Sequence, residues 1–275
     1  PGWNVVRTDR TLDSRESADS IRELKSNPAV ESVEQDQLLR LDTVGDDQVM
    51  TPDDPDYATY QWNFFSEIAG VRAPQAWKVA VVDSGIVKGS PDLVELLPGY
   101  DMMTDAEMSR RSSDARVAGG WDLGDWIPLG ENCNRFGEDV PPLGSASGWH
   151  GNHVAGTIAQ LTNNGSWLAG LAYKAKILQV RVAGMCGGYT SDVADGIVWA
   201  AGGNVAGLPL NRNPADVINV SMGDSKKGPC PAVLQSALDI AAALGSIVVV
   251  SAGNASIPTS ERPYGNCKNV IAVGS

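Results

Sequence analysis

The sequence predicts an α/β fold, a parallel sheet flanked by helices, with a small α+β unit ahead of it. Three observations predict this. Short, wholly apolar runs such as Val79-Ala80-Val81-Val82 and Ile247-Val248-Val249-Val250 alternate with segments of helical period. Strands buried on both faces read this way, as in a parallel sheet covered by helices. Glycine is plentiful at 30 residues and phenylalanine scarce at 3, a usage that lets helices approach a sheet closely. Small or polar residues follow strand after strand: Asp83 after Val82, Gly184 after Val182, Ser221 after Val220, and Ala252-Gly253-Asn254 after Ser251. In a parallel sheet those carboxyl ends share one edge, where open α/β sheets bind ligands.

The elements follow in chain order. Residues 1–45 read as a small unit. Residues 3–7 are a strand by pattern. Residues 17–26 are a helix with Ile21 and Leu24 on one face, stopped by Asn27-Pro28. Residues 30–34 and 38–41 alternate like a strand pair. This β-α-β unit has too few apolar residues to hold a core alone, so it should pack on the remainder. Residues 46–57 lie in a polar, Asp-rich stretch with Pro52 and Pro55, the composition of a linker and a natural place for proteolytic nicking.

The main domain, residues 58–275, begins its alternation with a strand over 79–82. A helix over 150–163 carries His150, Val154, Ile158 and Leu161 on one stripe. A strand over 177–182 is followed by a helix over 191–201, with Ser191 suited to its N-cap. A strand over 217–220 leads to a helix over 231–244, with Pro231 at its first position and Gly245 at its end. Strands over 247–251 and 270–273 close the chain.

Composition narrows the function classes. The 275 residues carry a net charge of −12, and the basic pairs are Arg110-Arg111 and Lys226-Lys227. That excludes the basic face of a nucleic-acid binder. No run of ~18 apolar residues offers a membrane span. The chain begins at Pro1 with neither Met nor a signal-like run, which reads as removal of an earlier segment. Four cysteines without a Cys-x-x-Cys spacing weigh against zinc and dithiol redox chemistry, and they allow three pairings. No Gly-x-Gly-x-x-Gly follows the first strand, so a nucleotide site finds no support.

Reactive types converge on the expected edge. Asp83 ends an apolar strand, so its carboxylate needs a donor. Alone it reads as a turn or helix-capping residue; beside an imidazole it becomes an orienting carboxylate. His150 and His153 are the two histidines, three apart at a helix start. A His-x-x-His lacking the Glu of a zincin helix is a poor metal pair. Gly148, Gly151 and Gly156 cost helix stability and so point to close backbone approach. The expectation is His150 as a general base and His153 as a buried packing residue. Asn254 is either a plain turn residue or an amide donor aimed at a developing oxyanion.

Taken together, Asp83-Ser84-Gly85, His150-Gly151-Asn152-His153-Val154-Ala155-Gly156-Thr157, Val217-Ile218-Asn219-Val220-Ser221-Met222-Gly223 and Ala252-Gly253-Asn254 resemble the motifs of the subtilisin-like serine proteases, in that family's order. The resemblance covers residues 58–275. Residues 1–45 resemble the end of the family's propeptide, notably Asn27 through Asp36. The loops around Gly184-Met185-Cys186-Gly187-Gly188 and Asn211-Arg212-Asn213 look closest to secreted bacterial members with disulfides.

The resemblance implies a serine endopeptidase made as a secreted, extracellular zymogen, a monomer acting on peptide or protein substrates and bound by its own propeptide. Asp83, His150 and Asn254 would be catalytic. Gly184, Gly187, Gly188, Ser221, Met222 and Gly223 would pair with an extended substrate, and Ala252 and Gly253 would line the pocket for the residue before the cut bond. Gln61, Asp92 and Asn164 would hold a calcium ion, whose preference is for oxygen ligands. The cysteines would pair as Cys133–Cys186 and Cys230–Cys267, worth ~3–4 kcal/mol each in the chain-entropy account.

The sequence also departs from the pattern. Asn152 stands for the usual Thr. Asp224 stands for Gly, which implies a crowded substrate edge or a taste for basic side chains. Val87-Lys88-Gly89-Ser90 precede Pro91-Asp92 where His-Pro-Asp is common, and residues 77–79 make a short approach to the aspartate strand. The Gly-Thr-Ser segment that bears the family's nucleophile is not among the 275 residues. The chain by itself is therefore expected to be inactive. The alternative from another class is a non-cleaving peptide-binding module derived from a protease.

Overall fold

The computed structural model describes residues 5–8, 10, 12–36, 77–93, 95–131, 133, 144–161, 170–172, 174–224 and 226–274, and the backbone of 38–41. The expected linker at 46–57 lies outside them, as do Gln61, Asn164 and the first two residues of the strand expected at 3–7.

The described strands are β1 (Leu38–Leu41), β2 (Lys78–Asp83), β3 (Leu96–Asp101), β4 (Val117–Gly119), β5 (Lys176–Arg181), β6 (Gly188–Tyr189), β7 (Val217–Val220), β8 (Met222–Gly223), β9 (Ile247–Ser251) and β10 (Val270–Val273). Seven of them make the main sheet, in the order β10-β9-β7-β2-β5-β3-β4. All neighbours are parallel except β4, which runs antiparallel to β3 at one border. The apolar run of β2 occupies the middle of the sheet, where both faces are covered; Ala80, Val81 and Val82 are fully buried.

Helices cover the two faces. The described ones are α1 (Ser14–Lys25), the single turn α2 (Ala106–Ser109), α3 (His150–Ala159), α4 (Thr190–Ala200) and α5 (Ala232–Ala243). Ala80 and Val82 join Leu178, Val180, Ile218, Val220, Val248 and Val250 in one core, closed by α4 and α5. Val79, Val81 and Ile177 form the other core with Ala155 and Ala159 of α3. At the carboxyl edge, fully buried Arg181 donates to Asp101 Oδ2 (2.9 Å) and to the Ser109 carbonyl (2.8 Å), tying β5 to β3 and α2.

A second, three-stranded sheet has the order β6-β1-β8, with β1 antiparallel to both neighbours. The register sets Leu38 against Tyr189, Leu39 against Gly188, Arg40 against Gly223 and Leu41 against Met222.

Several expectations need correction. Residues 5–7 belong to no strand, and Val5 and Val6 are exposed. Residues 30–34 form no strand, so 38–41 finds its partners on the main domain instead, whose short edges β6 and β8 offer backbone donors and acceptors on both sides. Helix α1 starts at Ser14 rather than 17, because Asp13 and Glu16 make a reciprocal capping box. Helix α3 ends at Ala159 rather than 163. Pro231 stands at the N-cap of α5 rather than inside it, and Gly245 (φ +90°) ends it as expected.

Disulfides join Cys133 to Cys186 (Cα–Cα 5.6 Å) and Cys230 to Cys267 (5.1 Å), the two pairs the resemblance implies. The first ties the segment ahead of α3 to the turn before β6. The second ties the entry of α5 to the entry of β10.

Candidate active site

The site begins with a strand end. Asp83 closes β2 and is fully buried. Its Oδ1 accepts the Ser84 N–H at 2.7 Å. His150 opens α3, and its Nδ1 stands 2.8 Å from Asp83 Oδ1 and 3.0 Å from Oδ2. An ionised carboxylate can only accept, so the ring proton sits on Nδ1 and Nε2 is the basic nitrogen.

The placement of α3 explains how this contact is held. Trp149 occupies the N-cap at φ 50° and makes no side-chain cap bond. The cap comes from the turn after β2: Gly151 N–H donates to Ser84 Oγ at 2.9 Å, and Ser84 Oγ donates to Asp122 Oδ2 at 2.9 Å. Asp122 also accepts the Gly124 N–H at 2.8 Å. Burial pushes the Asp122 carboxyl above its ordinary range, against the pull of the Gly124 and Ser84 hydrogen bonds. Asp122 reaches this position because Ile86 bridges to Trp121, with Asp122 N–H donating to the Ile86 carbonyl at 2.9 Å. Close approach is built in as well. A Cβ on Gly151 would overlap the Gly85 carbonyl oxygen, and a Cβ on Gly85 would stand 2.7 Å from Gly120 O.

Replacing Ser84 with Ala would strand two buried partners at once, the Asp122 carboxylate and the Gly151 N–H. The expected cost is about 2–4 kcal/mol of unfolding free energy, read as a lower urea midpoint at unchanged slope. A change under about half a kcal/mol would refute the relay as a support of the site.

His153 is exposed, not buried as expected. The buried face of α3 consists of His150, Gly151, Ala155, Gly156 and Ala159, so it centres on the small residues that meet β2. His153 falls on the opposite side, and Val154 and Ile158 are only half-buried. Asn152, the departure from Thr, accepts the Val87 N–H at 3.2 Å and so ties α3 to the loop after Asp83.

The residues expected to pair with an extended substrate divide. Gly188, Met222 and Gly223 pair with β1. Gly184 and Gly187 pair with each other, closing a turn through Cys186 (φ 67°). Ser221 Oγ accepts from Asn219 Nδ2 at 2.8 Å. Ala252 donates to the Val273 carbonyl at 2.7 Å, and Gly253 (φ +79°) turns the chain toward exposed Asn254, at the sheet edge that also carries Asp83. The Asp224 carboxylate accepts the Lys226 N–H at 2.8 Å and so is engaged with its own loop.

Contacts from the N-terminal residues leave no trace in the sequence pattern. Ser191, a suitable cap by sequence, does not cap α4: the helix starts at Thr190 with Tyr189 at its cap and no side-chain cap bond. Asp36 accepts there instead, from the Ser191 N–H (3.1 Å) and from the Ser191 hydroxyl. Glu34 does the same for α5, accepting the Ala232 and Val233 N–H groups at 3.0 and 2.9 Å. Arg7 donates to the Thr104 carbonyl (2.8 Å) and hydroxyl (2.7 Å). No local pattern signals such caps, because each carboxylate lies far from its helix in sequence.

For a metal, Asp92 is the one described member of the implied ligand set. Its carbonyl accepts the Leu161 N–H at 2.9 Å, which joins that turn to the residue before the 162–168 segment. Among the described residues, no group of three His, Cys, Asp or Glu side chains is placed to hold a metal ion.

Comparison with known proteins gives consistent matches. A family model described as the subtilase family matches residues 75–275. An extracellular protease of Xanthomonas campestris pv. campestris is 42% identical over 282 residues, covering 100% of this chain and 46% of that protein. An extracellular basic protease of Dichelobacter nodosus is 40% identical, covering 92% and 41%. The chain thus spans less than half the length of these two relatives. Among solved structures, one described as proteases from Pseudoalteromonas arctica matches with a TM-score of 0.67 and 40% identity, over 81% of this chain and 65% of that one.

Proposed function

The chain belongs to the subtilase family, and from that premise we propose that it forms most of a serine endopeptidase, with Asp83 and His150 as two members of a catalytic triad. The observation that carries this reading is the 2.8 Å contact from His150 Nδ1 to Asp83 at the carboxyl edge of the sheet. His150 Nε2 takes the proton of an attacking serine hydroxyl and later returns it to the leaving amine. Asp83 holds the tautomer and stabilises the imidazolium without itself taking the proton. The Asn254 amide donates to the oxyanion; donors of this kind are worth about 10²–10³ in rate, a scale measured in subtilisin rather than derived from these distances. An extended substrate pairs with Gly188, Met222 and Gly223, the slot β1 fills here.

No Gly-Thr-Ser occurs among the 275 residues, so this reading requires the attacking serine to come from outside them. The purified 275-residue chain is expected to leave a peptide amide intact, whereas a protein extended through such a segment is expected to cleave it. Turnover by this chain alone would contradict the assignment. The strand slot also suits a peptide-binding module that never cuts, and an inert extended protein would favour that module.

Residues 1–45 are read as the end of a propeptide. The support is the placement of β1 in the substrate slot together with the caps from Asp36 and Glu34. Loss of a helix cap costs about 1 kcal/mol, more when the cap is charged. Glu34→Ala is therefore expected to speed hydrogen exchange at the Ala232 and Val233 amides roughly 5- to 30-fold. Unchanged exchange there would count against docking through this cap. A structural calcium held by Gln61, Asp92 and Asn164 belongs to the same reading; it would brace the loop after α3. Secretion is supported by the two disulfides and by the extracellular relatives.

A further inference from the structure

Arg262 follows a turn of 3₁₀ helix (Thr259–Glu261) and is 1% exposed. Its Nη1 donates to the Ser251 carbonyl at the end of β9 (3.0 Å), and its Nε donates to the Asp224 carbonyl just past β8 (3.2 Å). Between these bonds the guanidinium lies against two glycines. A Cβ on Gly253 would overlap it, and a Cβ on Gly223 would stand 2.8 Å from Nη2. One flat cation therefore spans the gap between Met222-Gly223-Asp224 and Ser251-Ala252-Gly253. The absence of side chains at Gly223 and Gly253 makes room for the arginine.

On one side of this gap stand Ala252 and Gly253, which the subtilase resemblance sets around the side chain preceding the cut bond; on the other stand Met222 and Gly223, which pair with β1 in the proposed substrate slot, so in the peptidase reading the gap is the cleft for that side chain. We infer that Arg262 fills this cleft from within and restricts that position to small side chains, an inference that rests on the peptidase reading above. The rigid planar fork is well shaped for this role, since it donates to both walls at once and holds them one guanidinium apart. A large substrate side chain enters the cleft only by displacing the fork and breaking both charge-assisted bonds.

The test uses a protein extended through the proposed serine-bearing segment and three peptide amides that differ only in the residue before the scissile bond: Ala, Phe or Glu. Wild type is expected to cut after Ala with a kcat/KM about 10-fold or more above that for Phe, the scale of pocket discrimination by side-chain size. Arg262→Ala is expected to raise the Phe-to-Ala ratio about 10-fold, and Arg262→Lys, which cannot bridge both carbonyls, to raise it less. The wild-type profile needs no variant to fold. Equal or faster cleavage after Phe in wild type overturns the inference, as does an unchanged ratio in a folded Arg262→Ala. Fastest cleavage after Glu also overturns it, since the guanidinium would then be reading charge. Cleavage of none of the three would instead overturn the peptidase reading, and this inference with it.

Discussion

Asp83→Asn in a protein extended through the proposed serine-bearing segment is expected to lower kcat about 10⁴-fold, with KM changed far less. Figures of this size are measured for the aspartates of serine proteases, subtilisin among them; the structure supplies the reason to expect one here. The Asp83 carboxylate is fully buried and 2.8 Å from His150 Nδ1, and it also accepts the Ser84 N–H. An amide in its place can donate to Nδ1 and so favour the tautomer with the proton on Nε2. That tautomer cannot take the serine proton. The asparagine is nearly isosteric, so the fold should survive, which a near-wild-type urea midpoint would verify. A fall of less than about tenfold in kcat would remove Asp83 from the chemistry.

The second large effect is expected at Gly151, which touches no substrate in the proposed mechanism. A Cβ at this position would overlap the Gly85 carbonyl oxygen and stand 3.0 Å from Gly85 N and 3.2 Å from Asp83 Cβ. All three belong to the buried turn at the end of β2, which has little room to yield. Gly151→Ala therefore pushes α3 off the sheet, carrying His150 with it and stretching the Gly151 N–H to Ser84 Oγ bond. Misplacement on the order of 1 Å costs about 10²-fold in rate, and overpacking costs about 1–3 kcal/mol in stability. The two readouts separate the causes. A loss in kcat well beyond the loss in folded population marks misplacement of the base. Wild-type kcat in the folded variant would show that α3 has more freedom than its packing indicates.

Much of the site is legible in the sequence because its residues sit in short runs with their own local logic. Val79-Ala80-Val81-Val82 has to be a buried strand, so Asp83 has to stand at its end. Gly151 reports a close backbone approach before any partner is known, and the partner is Gly85. The disulfide pairs follow from the resemblance. What stays hidden depends on helix rotation and on contacts distant along the chain. The sequence pattern misplaces His153 because a spacing of three from His150 lets both share a helix face, whereas the close-packed face of α3 runs through Gly151, Ala155 and Ala159. Small residues carry little hydrophobic signal, though they allow the tightest approach.

The amino-acid order by itself indicates five of the seven strands of the main sheet and the polar residues at their ends, whereas the meeting of Asp83 with His150 is what the family resemblance implies. Tertiary structure alone decides which groups brace that pair and what fills the neighbouring cleft. Asp122 reaches Ser84 across 38 residues, Asp36 reaches Ser191 across 155, and Glu34 reaches Ala232 across 198. Arg262 closes a gap between two strand ends that are neighbours only after folding. The physical reason is common to all of them. Burying apolar surface leaves a periodic trace in sequence, whereas a hydrogen bond satisfied by a remote partner leaves none until register and packing bring donor and acceptor together.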